Sequence, residues 1–311
     1  MKRRKYLIFT IGALAVIASL TATDLFCGTA ATDSEIIRFL RLPRAITAIL
    51  SGAALALAGT QMQCILRNPL ADPHIMGVSS GAALGAALAT MWGNSGAGLT
   101  VAGAAFAGAV ATASIIMVIA KRFRSADTLL IFGVMLGFIT NAIISILQFS
   151  SDGESLKTFY SWSAGSFSTT TWAQIGIITL ALIIGFTMAI RNHKNLDIIL
   201  FGDEFAEMAG ADTGRIRIIA MLGSCMLTAA VTAFCGPLGF VGIVSPHIAR
   251  GLLGTAVHHR ILPASMLIGS IISLGANIVS QLASFPLPTA STMAIIGIPA
   301  IFYIILKRTQ L

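Results

Sequence analysis

The chain of 311 residues is 56% hydrophobic and only 10% charged, with a net charge of +8. A soluble domain carries about 25% charged residues, so this chain cannot cover a water-facing surface, and its class is an all-α polytopic membrane protein. The apolar runs are continuous rather than alternating with the period of two that a membrane β-barrel needs. The cations sit in the gaps between runs, which assigns the positive charge to membrane topology and not to nucleic acid.

A helix needs about 20 apolar residues to cross the hydrocarbon layer. In chain order the predicted spans are 6–23, 45–62, 75–92, 98–120, 128–149, 172–190, 217–235, 238–250, 263–282 and 290–306, about ten transmembrane helices in a single domain covering 1–311. The opening "MKRRKYLIFTIGALAVIASL" has the charge pattern of a leader. No small-residue cleavage site follows its apolar run, so it reads as a retained first span. The eighth span is short and is expected to break at Pro246. An even count puts both termini on one side. With that side cytoplasmic, only Arg38, Arg41, Arg44 and Lys157 of the 20 Lys and Arg residues fall outside, as the positive-inside rule requires. Stretches such as "GAALGAALA" (81–89) and "GVMLG" (133–137) provide the small residues that close helix packing in lipid uses.

No Asp, Glu, Lys or Arg lies near the middle of a predicted span, so no coupling-ion site is visible. The chain has no Gly-Lys dipeptide and therefore no P-loop; if ATP drives it, a partner subunit binds the ATP and Mg. It is not itself expected to be an enzyme or to hold a cofactor. The four cysteines form no CxxC pair, and His74, His193, His247, His258 and His259 form no HExxH, so no metal site is expected. "GVSSG" (77–81) matches the nucleophile elbow around Ser79, but the strand that motif needs is missing and no His/Asp partners are evident.

The long inside segment 191–217 is the candidate coupling segment. Within it "FGDEFAEMAG" (201–210) reads as a short helix with Asp203 and Glu204 at its positive end. Gly202, Ala206, Ala209 and Gly210 are small enough for another surface to approach. Two further segments, "NPLADPHIMGVSSG" (68–81) and "GPLGFVGIVSPHIARG" (236–251), share a Pro-Leu opening and a Pro-His pair. Each follows an apolar run that begins after paired arginines, and the two runs travel in opposite directions. This is a weak inverted repeat, with halves about 41–150 and 215–306. Asn68, Pro69, Pro73, Gly77, Pro237 and Pro246 then mark structural bends, which membranes tolerate only where protein or water covers the backbone.

These stretches, with "RLPR" (41–44), "WSAGS" (162–166) and "IIGIPAIFYIILK" (295–307), resemble the FecCD family of iron-chelate, haem and vitamin B12 ABC-importer permeases over nearly the whole chain. The resemblance implies the type II importer permease fold and a homodimer in the bacterial inner membrane. It also implies two cytoplasmic ATPase subunits and a periplasmic binding protein as partners. Arg41 and Arg44 match the cations that dock the binding protein, a role that suits the rigid guanidinium fork. "RSAD" (124–127) matches the cytoplasmic gate, at Ser125 and Ala126, and 201–210 matches the helix that couples to the ATPase. The substrate implied is an iron chelate, with cobalamin or an oxyanion as alternatives. The sequence departs from the family pattern at Asn277 and Gln281, where an Asp and an Arg are usual. It departs again at Pro286-Leu287-Pro288 and in "AVHHR" (256–260).

Overall fold

The computed structural model describes residues 2–26, 34–92, 98–123, 126–282 and 287–308. Its elements are α1 (Lys2–Phe26), α2 (Ser34–Ile36), α3 (Leu42–Ile65), α4 (Val78–Met91), α5 (Gly98–Arg122), α6 (Ala126–Phe149) and α7 (Gly153–Ser163). They continue with α8 (Trp172–Arg191), α9 (His193–Ile199), α10 (Asp203–Met208), α11 (Thr213–Cys235), α12 (Val241–Leu253), α13 (His258–Leu282) and α14 (Thr289–Arg308). Each of the ten predicted spans corresponds to a helix. Seven are long and apolar enough to cross a membrane, and Val78–Met91, Val241–Leu253 and Thr289–Pro299 are shorter apolar helices.

Three elements differ from the expectation. The second span starts early: the helical rod runs from Ser34 to Ile65, so "RLPR" lies within it and not in a loop. A π-helical turn, Ile37–Arg41, closes with Leu42 N–H donating to the Ile37 carbonyl. That widened turn sits immediately before Pro43, which has no amide to continue an α ladder, and it accommodates the proline without a break. The eighth span does not break at Pro246: α12 continues through it from Val241 to Leu253. The helix α7 was not expected. It lies between α6 and α8, with Phe159 buried and Tyr160 exposed.

Local chemistry sets the helix ends. Thr171 and Gln174 form a reciprocal capping box at α8, and the Asp212 carboxylate accepts the Arg215 amide at the start of α11. The third span begins as a 3₁₀ turn, Pro73–Met76, because Asp72 accepts the His74 amide at 2.8 Å. Gly77 then turns the chain into α4 at φ +75°, a conformation that a side chain disfavours.

Packing centres on α3 and α11, which are mostly buried along their apolar spans. α3 packs against α13 while α11 packs against α5. Glycine makes the closest crossings possible. A Cβ on Gly52 would collide with the Gly269 backbone, and one on Gly59 with the Gly242 backbone. Gly81 and Gly85 similarly admit α5 to the face of α4. α1 is peripheral, with little of its apolar length buried. Cys64, Cys225 and Cys235 are free and buried.

Candidate functional site

The two Pro-His segments meet at His74. His74 Nε2 lies 2.6 Å from the Leu238 carbonyl, which only accepts, so Nε2 donates. In the neutral ring Nδ1 is then the acceptor, and the Ser79 hydroxyl donates to it in a very short contact. Sequence reasoning found no histidine partner for Ser79; the bend supplies one, since five residues of 3₁₀ turn and left-handed glycine bring the two together. Both ring nitrogens are occupied and Ser79 is buried. His74 thus ties the bend around Pro69, Pro73 and Gly77 to the one after Pro237. At the bend's entrance the Asn68 side chain accepts the Leu70 amide at 2.9 Å.

Pro246 is accommodated by α3. It offers no amide to the Gly242 carbonyl four residues back. Gln63 Nε2 donates to the Gly242 and Ile243 carbonyls at 3.4 and 3.2 Å instead. Arg250 in turn donates to Gln63 Oε1. The freed backbone is therefore satisfied by protein, as irregular backbone at membrane depth requires.

In the candidate coupling segment, Gly202 turns the chain at φ +105° into α10. Asp203 does more than complement a helix end. Its Oδ2 accepts Arg217 Nη2 at 2.6 Å and Arg67 Nη2 at 3.4 Å, fastening α10 to α11 and to the end of α3. Ala206 is fully buried beneath α10, so it anchors the helix and presents nothing to a partner. Ala209 and Gly210 are exposed, as is Glu204. Three large apolar side chains are exposed beside them and were not singled out from sequence: Phe201 is 74% exposed, Phe205 52% and Met208 86%. Beside α10, Asp197 caps α13 from α9, accepting the His258 amide and ring Nδ1 at 2.8 and 2.7 Å. Burial pushes the Asp197 carboxyl up, but the His258 hydrogen bonds and the charges of His258 and His193 outweigh it and hold it below its ordinary range.

At the opposite end of the bundle, Arg41 and Arg44 point into the structure. Arg41 is only 6% exposed and donates to the Leu25 carbonyl at 2.7 Å. Arg44 Nη2 pairs with Asp24 at 3.3 Å. Asn277 and Gln281 donate to the same Asp24 oxygen at 3.0 and 2.9 Å. The two amides that depart from the family pattern therefore converge on a buried carboxylate from α1. Sequence reasoning missed Asp24 because it lies just past the first predicted span. Arg38, one turn earlier, is exposed. Ser125 and Pro286 lie outside the described residues, and Ala126 opens α6.

The model of the FecCD transport family matches residues 6–307. The chain belongs to the FecCD transport family. It is 33% identical to the Fe(3+)-citrate import system permease protein YfmE of Bacillus subtilis, over 95% of this chain and 89% of that one. It is 32% identical to the molybdate import system permease protein MolB of Haemophilus influenzae, over 88% and 82%. Among solved structures, one described as an inward-facing metal-chelate type ABC transporter superimposes with a TM-score of 0.88 at 30% identity, covering 96% of this chain and 98% of that one. As a FecCD member with this fold, the chain is a multi-pass membrane permease of the type II ABC importer kind.

Proposed function

We propose that this FecCD permease moves an iron chelate, a ferric siderophore or haem, from periplasm to cytoplasm by alternating access. It acts in the bacterial inner membrane as a homodimer, with both termini cytoplasmic. The observation that carries this reading is α10, pinned to the bundle by Asp203 while Phe201, Phe205 and Met208 face outward. A helix held rigidly beneath and apolar above is suited to receive motion from an ATPase subunit and pass it into α11. Two such subunits bind and hydrolyse ATP with Mg; the permease binds neither. Gly202, Glu204, Ala209 and Gly210 complete that contact, and Ser125 and Ala126 form the cytoplasmic gate.

The exposed apolar faces of α6 and α14, including Phe138, Ile146, Ile295 and Phe302, supply the dimer contact and reshape the central path. The binding protein docks where α3 begins. Arg44 and Arg41 define that surface from behind, and Arg38 is its accessible cation. The similarity to a molybdate permease keeps an oxyanion as the second reading, and cobalamin remains an alternative within the same mechanism.

The test is uptake into vesicles holding the permease, its ATPase and its binding protein, with ferric siderophore, haemin, cobalamin and molybdate in parallel. ATP-dependent accumulation of an iron chelate is expected, with loss of more than tenfold in the Phe201→Ser, Phe205→Ser double variant. Accumulation of molybdate or cobalamin alone overturns the iron assignment, and uptake that survives ATP depletion overturns the mechanism.

A further inference from the structure

A cavity of about 600 Å³ opens where the end of α8 meets α9 and the first turn of α11. Arg191 and Arg215 both line it and are exposed, and neither side chain has an ion-pair partner among the described residues. Asp212 also lines it, and its carboxylate is engaged as the cap of α11, accepting the Arg215 amide at 3.0 Å. The local balance is one positive charge. Asn192 is the second, independent sign of a ligand. It lines the cavity and is only 5% exposed, and its Oδ1 accepts Asn195 Nδ2 at 2.8 Å. Its Nδ2 is buried with no partner. Buried donors are almost always satisfied, and a small turn of the amide toward the cavity would offer this one to an anionic oxygen.

The surroundings are those of an amphiphile. Leu180 and Ile184 are 59% and 41% exposed and lie one helical turn apart on α8. Met188, a turn further on, already lines the cavity. An apolar stripe on the outside of a membrane helix thus runs directly into a cationic pocket. A free anion would make no use of the stripe, and neither would a polar protein surface.

We infer that this cavity binds the phosphodiester headgroup of an anionic phospholipid, whose acyl chains lie along α8. Arg191 and Arg215 pair with the phosphate, Asn192 Nδ2 donates to one of its oxygens, and the single negative charge matches the local balance. Basic pockets between membrane helices recognise lipid headgroups in this way. The inference is independent of what the permease carries, and its test does not read transport.

The experiment is native mass spectrometry of the purified, delipidated permease, given dioleoyl phosphatidylglycerol or dioleoyl phosphatidylcholine. Preferential retention of phosphatidylglycerol is expected, falling roughly fivefold for each arginine lost in Arg191→Gln and Arg215→Gln. Asn192→Asp keeps the side-chain size but sets a carboxylate against the phosphate, so it should lose the lipid even if the arginine variants do not fold. Lys121→Gln with Arg122→Gln, at the end of α5, should leave retention unchanged. Equal retention of the two lipids, or unchanged retention in the Asn192 variant, overturns the inference. Displacement by millimolar inorganic phosphate assigns the site to the free ion instead. Loss of the bound lipid on adding the ATPase subunit assigns the cavity to a protein contact.

Discussion

At the residue scale, the polar groups in this molecule act as ties between helices. Asp197 is the clearest, because one carboxylate caps a helix that starts 61 residues later, taking both the amide and the ring of His258. Its lowered pKa fixes the sign of a pH effect. A depressed carboxylate contributes stability above its unfolded value, and that contribution is lost as pH falls through the folded value. The unfolded value is near 4. Thermal unfolding of the permease in detergent should therefore lose stability below about pH 4 in wild type. In Asp197→Asn this step should be missing, with stability already lower at neutral pH. A step of equal size in both proteins would show that another group is responsible. No sequence pattern hints at this tie. His258 and His259 read as a loop doublet, and only the fold brings α9 to the start of α13.

At the element scale, α1 illustrates how a peripheral helix is held. Little of it is buried, so its attachment depends on its end. There Asp24 takes donors from α3 and α13 at once, through Arg44, Asn277 and Gln281. Removing one partner of a buried ion pair leaves an uncompensated charge and costs about 3–5 kcal/mol. Asp24→Ala should destabilise the permease by about that amount in denaturant titration. Asp24→Ala together with Arg44→Met should recover much of the loss, because the stranded cation is gone. Failure of the double variant to recover would mean the amides, not the ion pair, hold α1. Substitutions that look like losses of charge at 277 and 281 are thus complementary to a carboxylate that enters from a different helix. The lengths of the apolar runs located every one of these helices but could not show which ends meet.

At the scale of the whole molecule, the bundle is locked by backbone-to-backbone crossings. α3 passes α12 and α13 at Gly59 and Gly52 with no room for a Cβ. In lipid no hydrophobic effect draws helices together, so such contact supplies packing that larger residues would remove. Gly59→Leu forces α3 from α12, carrying Gln63 away from the carbonyls freed by Pro246. It should reduce folded yield in detergent severalfold, as measured by size-exclusion chromatography, whereas Gly103→Leu, which meets open space, should not. Equal yields would mean the crossing tolerates separation.

The sequence by itself determined the class, the number of apolar helices and the family. These depend on composition, on runs near 20 residues and on contiguous motifs, which survive without knowledge of contacts. It also picked out the prolines and glycines, which act on their own backbone, but not what each one does, since α12 runs through Pro246 without a break. Only the tertiary structure decided what those residues face. It turned Arg41 and Arg44 inward, buried Ala206 and exposed Phe201, and carried α12 unbroken through Pro246 with help from Gln63. Each of these outcomes depends on a partner distant in the chain, and the direction in which a side chain points is set by the helix that happens to lie beside it.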